Sequence, residues 1–132
     1  MPFVVDASVV ASWAFPDEDS DVARKAFERV RADEAWAPAL WWFELRNTLL
    51  VGERRRRISE ADVGAFLRQV SRLSIFMNHE PVEADVMRLA RGHRLTVYDA
   101  AYLELAMRMG SLVATLDRPL LAACEAEGLA LI

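Results

Sequence analysis

Apolar residues fall in two rhythms along the chain, short continuous runs and longer stretches at helical spacing, and the two alternate. Phe3-Val4-Val5 predicts a short buried strand, which Asp6 ends before a helical run to about Ala14. Val22, Ala23, Ala26, Phe27 and Val30 share one face of a helix predicted over 20–32. Ala35-Trp36-Ala37 predicts a second strand, and Pro38 the first position of a long helix reaching about Arg57. Ser59 with Asp62 has the form of a capping box and opens a helix to about Leu73, followed by a possible strand over 74–77. A helix over 82–91 is closed by Gly92, and one from the Thr96/Asp99 capping box to Met109 by Gly110. Leu112-Val113-Ala114-Thr115 predicts a strand, 117–127 a helix closed by Gly128, and 129–131 a last strand. The alternation predicts one α/β domain over residues 1–132, a three-layer α/β/α sandwich around a mainly parallel sheet.

Composition narrows this only a little. The chain has 132 residues, 54% apolar and 27% charged, as expected of a single globular core. No apolar run approaches the ~18 residues that span a bilayer, and the N-terminus lacks the basic region and cleavage site of a secretory signal. The expectation is a cytoplasmic protein. Cys124, the single cysteine, lies in an apolar helical pattern and reads as an inert buried thiol. A net charge of −4 argues weakly against a general nucleic-acid binder, so an RNA substrate would require local basic patches.

Most acids have an ordinary explanation. Glu104 has Arg108 four residues on and Asp85 has Arg88 three residues on, which predicts solvated helix-face pairs. Asp17, Glu18, Asp19 and Asp21 suit the opening turn of a helix. Glu44 differs: its helical neighbours Leu40, Trp41, Asn47 and Thr48 include no base, and it lies on or beside an apolar face. It is either a half-exposed side chain bonded to Asn47 or a backbone amide, or a carboxylate held for function. Asp6 and Asp117 follow apolar strands and open helices, while Asp99 closes a capping box, so each could be a cap alone. Yet the carboxyl ends of parallel strands are where ligands bind. Carboxylates gathered there repel, and a hard divalent cation such as Mg²⁺ or Mn²⁺ relieves the repulsion.

Four segments in order carry a family resemblance. Val4-Val5-Asp6-Ala7-Ser8-Val9-Val10 resembles the opening motif of PIN-domain nucleases. The run from Pro38 through Trp41, Trp42, Phe43 and Glu44 to Asn47 resembles their second motif, with its helix-borne glutamate. Leu95-Thr96-Val97-Tyr98-Asp99-Ala100-Ala101-Tyr102-Leu103 resembles the third and Ala114-Thr115-Leu116-Asp117 the fourth. Length and wording resemble the VapC-type toxins of VapBC toxin–antitoxin pairs. The resemblance implies a parallel sheet between helices and cleavage of RNA dependent on Mg²⁺ or Mn²⁺. It also implies a homodimer and a VapB-type antitoxin as partner. It makes Asp6 and Asp99 the acids expected to touch the metal, Glu44 and Asp117 a second pair acting directly or through water, and Ser8 and Thr115 their polar supports. The stretches 18–35 and 54–80 match no motif and would set substrate and partner choice.

The chemistry implied is phosphodiester hydrolysis by metal-activated water, which needs no histidine base. His79 and His93 both lie outside the four motifs. Arg46 and Arg118 each sit within two residues of a candidate acid and are either RNA contacts or structural ion-pair partners of those acids. The run 54–57 of four arginines reads as a solvated helix terminus, with phosphate contact as the sharper alternative. Trp13, Trp36, Trp41 and Trp42 are first of all core, and some could line a groove for an antitoxin or a second subunit. Dehalogenase-like phosphatases and response-regulator receivers need a lysine near their acids, and Lys25, the one lysine, is near none of the motifs. A DNA-directed nuclease on the same scaffold and a PIN-like module without catalysis stay as alternatives.

Overall fold

The computed structural model describes all 132 residues. Four strands, β1 (Phe3–Val5), β2 (Ala35–Pro38), β3 (Ile75–Asn78) and β4 (Leu112–Ala114), form one sheet in the order β3-β2-β1-β4, and every pairing is parallel. Seven helices accompany them: α1 (Ala7–Ser12), α2 (Asp21–Val30), α3 (Leu40–Arg54), α4 (Glu60–Val70), α5 (Glu83–His93), α6 (Val97–Met109) and α7 (Arg118–Ala126). α1 packs on α2 and α3, and α3 on α4, while α5 and α7 pack on α6, which lies against β1 and β2. The helices thus form two separate groups, as the expected sandwich requires. Phe3, Val4 and Val5 are fully buried because β1 is central and covered on both faces, which is why its run is apolar without alternation.

The boundaries differ from the sequence reading at several places. Pro38 ends β2 rather than opening α3: it pairs with Asn78 in the sheet, and α3 begins at Leu40. α3 ends at Arg54, and Arg56 takes a left-handed conformation (φ 58°) in the turn beyond it. Gly92 lies inside α5; Arg94 supplies the left-handed residue there (φ 54°), and Leu95 N–H closes the end on the carbonyl of Ala90. Gly110 (φ 60°) does close α6. The last strand contracts to a single bridge, Val113 to Leu131. Ser20, Ser59 and Thr96 cap α2, α4 and α6 by accepting the backbone N–H three residues on.

Gly52 has a packing reason. A Cβ there would stand 2.6 Å from the ring of Phe15, so only glycine lets α3 approach this close. Arg57 lies over the same ring at 4.3 Å and pairs with Asp17 and Glu18.

Candidate active site

Four separate elements carry the four acids. Asp6 follows β1 and opens α1, Asp117 follows β4 and caps α7, Asp99 lies in the first turn of α6, and Glu44 lies near the start of α3, just past β2. Because the strands are parallel, these positions share the C-terminal end of the sheet. Asp6 is held most firmly. It is only 6% exposed, and its N–H donates to the carbonyl of Ala114 at 2.9 Å. The hydroxyls of Ser8 and Thr115 donate to its Oδ2 at 2.8 and 2.7 Å. Thr115 Oγ1 in turn accepts from Asp117 N–H at 3.0 Å, and Ser8 Oγ from Leu116 N–H at 3.2 Å. Two hydroxyls therefore stitch the ends of β1 and β4 together and fix one carboxylate between them.

Capping and the site coincide at Asp117, whose Oδ1 accepts from Leu120 N–H at 3.0 Å. Asp6 occupies an N-cap position but makes no cap bond, so its side chain is committed elsewhere. Glu44 does not bond Asn47. Its Oε1 accepts from the Tyr102 hydroxyl at 2.6 Å, and that hydroxyl also receives Ala7 N–H at 3.4 Å. The sequence alone assigns Tyr102 no role. Its one legible signal is position, three residues after Asp99 and so on the same flank of α6.

No Lys, Arg or His forms an ion pair with any of the four acids. Burial raises the pKa of Glu44 to about 6; the Tyr102 hydroxyl opposes this, and Asp6, Asp99 and Asp117 add to it. Burial, then Asp117 and Asp6, raise Asp99 to about 6 as well. Asp6 is raised chiefly by burial, against the two hydroxyls that favour its charge. Mutual repulsion is thus written into the site. The ordinary values of 4.5 and 3.8 lie below the folded ones, so the folded state holds protons that the unfolded chain releases. That stability is complete below about pH 4 and lost as pH rises through about 6. Both carboxylates are partly open to water, which screens the effect, so in metal-free buffer the melting temperature should be about 1–3 °C higher at pH 5.5 than at pH 8, a difference of about 0.5 kcal/mol. Thermal unfolding across this range checks it; a flat or opposite trend would show that the acids do not strain the fold.

The donor set fits a hard divalent cation: all four groups are carboxylates, none is neutralised by a base, and both hydroxyls bond the same oxygen of Asp6, so its Oδ1 is not tied up by either. The side chains do not close into a cage as they stand, since no three His, Cys, Asp or Glu are near enough to enclose an ion. A cation would have to draw them inward.

The remaining candidates sort plainly. Arg46 and Arg118 pair with no acid, so neither is the structural partner of the carboxylates. Arg46 instead lies 3.8 Å over the ring of Trp42. Arg54 stands ten residues beyond Glu44, about 15 Å along the helix, and Arg57 is committed to Asp17 and Glu18. Glu104 is not the solvated residue its spacing suggests. It is 3% exposed and accepts from Arg108 at 2.8 Å and from Val82 N–H at 3.1 Å. Asp85 and Arg88 do form an exposed pair. His93 meets Glu127 at 3.2 Å, and Cys124 is buried, its thiol pushed up to about 11 by burial. Of the tryptophans, Trp41 is core, Trp13 and Trp36 are half-buried and Trp42 is exposed. No helix is long and apolar enough to cross a membrane.

Comparison with known proteins finds similar sequences and the same fold elsewhere. The family model of the PIN domain matches residues 3–131. Ribonuclease VapC3 of Pyrobaculum aerophilum is 35% identical over 124 residues, covering 91% of this chain and 92% of that protein. Among solved structures, PAE2754 from Pyrobaculum aerophilum superposes with a TM-score of 0.73 at 27% identity, over 93% of this chain and 84% of that one. Mycobacterium tuberculosis VapC20, described as a sarcin-ricin loop cleaving toxin, superposes with a TM-score of 0.62. At 16% identity, over 92% of this chain and 94% of the other, that likeness speaks for the fold.

Proposed function

The chain belongs to the PIN-domain family, and from that premise we propose that it is an endoribonuclease, a Mg²⁺- or Mn²⁺-dependent hydrolase of RNA phosphodiester bonds that serves as the toxin of a toxin–antitoxin pair. The observation that carries this reading is the gathering of four carboxylates from four elements, within electrostatic reach of one another and without a base. RNA as substrate is supported by the likeness to a ribonuclease along nearly the whole chain.

A divalent cation, when bound, supplies Lewis acidity to the scissile phosphate and to the attacking water. Asp6 and Asp99 are the acids to hold it, with Glu44 and Asp117 bonding it directly or through water. Ser8 and Thr115 keep Asp6 in one rotamer, and Tyr102 does the same for Glu44. Arg118, exposed and without an acidic partner, is available to the RNA backbone. A cognate VapB-type antitoxin and a second copy of the chain are the partners that the resemblance to VapC-type toxins implies.

Attack by water leaves the 2′-hydroxyl unused. Purified protein incubated with RNA and millimolar Mg²⁺ should therefore give fragments without 2′,3′-cyclic phosphate ends, and EDTA should stop the reaction. Cleavage that persists in EDTA, or that leaves cyclic ends, would refute the metal-hydrolase reading. Cutting of DNA in place of RNA would transfer it to the DNA-directed alternative, and no cleavage of either would favour the silent module.

A further inference from the structure

The inner face of α3 is set by Trp41, Leu45, Leu49 and Gly52, all buried. Its outer face should then be polar, and over its last turns it largely is, but its beginning is aromatic. Phe43 is 69% exposed and Trp42 is 41% exposed, their rings meeting edge to face with centroids 5.0 Å apart. Arg46, one turn on from Trp42, donates to the carbonyl of Trp42 at 3.1 Å and holds its guanidinium over the indole, 3.8 Å from the ring centroid. Arg46 covers one side of the Trp42 ring, but much of both rings stays open to water, and no carboxylate neutralises the arginine, although the chain has twenty acidic residues against sixteen basic ones. Exposed aromatic area of this size costs free energy in water and calls for an occupant.

The place of the cluster selects the occupant. It occupies the first two turns of α3, which begins at the C-terminal end of β2 among the strand ends that carry the acids, and Phe43 directly precedes Glu44. A third exposed ring, Tyr98 at 63%, directly precedes Asp99 and lies one turn before Tyr102 on α6. Tyr102 in turn touches Glu44, so the starts of α3 and α6 adjoin. None of the five main cavities is lined by these side chains, so no deep groove receives a protein helix here. Flat rings with an unpaired guanidinium beside them match the two chemistries of a single-stranded nucleic acid, base faces and phosphate.

We propose that Trp42, Phe43 and Arg46, with Tyr98 across the site, form a stacking platform that seats unpaired bases of the RNA strand beside the phosphate being cut. The platform selects unpaired over duplex RNA, because only a splayed base can lie on a ring. It rests on the reading of the chain as an RNA-cleaving enzyme, and makes Phe43 and Trp42 positioning residues for that reaction.

The test uses the full chain in two forms. In an Asp6→Asn background, binding of a fluorescently labelled unpaired oligoribonucleotide is measured for the parent and for Phe43→Ala, Phe43→Leu and Phe43→Tyr. Stacking predicts affinity lower by about tenfold to a hundredfold in the Ala and Leu variants. Phe43→Tyr should retain it, and a duplex of the same sequence should bind weakly throughout. In the active chain, Phe43→Ala should raise KM for unpaired RNA by a similar factor while kcat stays within about threefold. Equal affinity of Phe43→Leu and the parent overturns the platform, as does equal binding of duplex. So does a Phe43→Ala variant that merely converts a dimer to a monomer, seen by sedimentation, with RNA affinity intact; that face would then belong to a second copy. Ring-dependent binding without any cleavage by the active chain would leave the platform standing and remove the hydrolase.

Discussion

Replacing Asp6 by asparagine is expected to abolish RNA cleavage while leaving the metal-free fold at least as stable as the parent at neutral pH. The two halves have one cause. Asp6 is almost fully buried, and burial disfavours its charge more than the Ser8 and Thr115 hydroxyls favour it. Asparagine keeps the shape and an oxygen for both hydroxyls, yet removes a charge that faces Asp117 and Glu44. The folded state therefore loses repulsion and desolvation cost, and the melting temperature at pH 7.5 should hold or rise. Activity moves the other way. A bound cation contributes several kcal/mol to transition-state charge stabilisation, and each ~1.4 kcal/mol is tenfold, so the rate should fall by about a thousandfold or more. A variant that cleaves within about tenfold of the parent would show that Asp6 stands outside the reaction. One that cleaves poorly because it melts early would show that its charge serves the fold.

The second large effect concerns a carboxylate outside the site. Glu104 reaches Arg108 through both oxygens, at 2.8 and 3.1 Å, and Val82 N–H through one, while Arg108 also reaches Asn78 at 3.2 Å. The group anchors the segment between β3 and α5 to α6, the helix that carries Asp99. Arg108→Leu would leave a buried negative charge with one N–H for company. Breaking such a pair costs about 3–5 kcal/mol when both partners are buried. Arg108 keeps about a third of its side chain in water, which places the expected loss near 2 kcal/mol, or roughly 5–10 °C in Tm. The double variant Glu104→Leu, Arg108→Leu should recover part of it, since no charge is then stranded. A single variant within 0.5 °C of the parent would mean that water reaches Glu104 freely.

Glu104 also marks where the sequence stops being informative. Its spacing to Arg108 is that of a surface pair, but α6 is buried over the whole stretch from Ala100 to Ala106, and the partners Val82 and Asn78 come from a segment 22 or more residues away. The position of Asp6, Asp99 and Asp117 was legible because parallel α/β folds bring strand ends and helix starts to one edge, and apolar triplets with capping residues mark both. Glu44 stood out by the lack of a basic neighbour. Its true partner, Tyr102, is 58 residues away, and no residue near Glu44 in the sequence points to it. Pro38 misled for a related reason: proline suits a helix start, and only the pairing with Asn78 shows that it closes a strand. The weak final strand reads as one because Leu129 and Leu131 are apolar, yet a single bridge to Val113 is all that forms.

The role proposed for the four unpaired carboxylates is to seat a divalent cation. Calorimetric titration of Mn²⁺ into the metal-free protein at pH 7.5 tests it without any RNA. Saturable binding that weakens at least tenfold in both Asp6→Asn and Asp99→Asn is the expected result. No binding, or the same binding in parent and variants, would show that these carboxylates hold no cation.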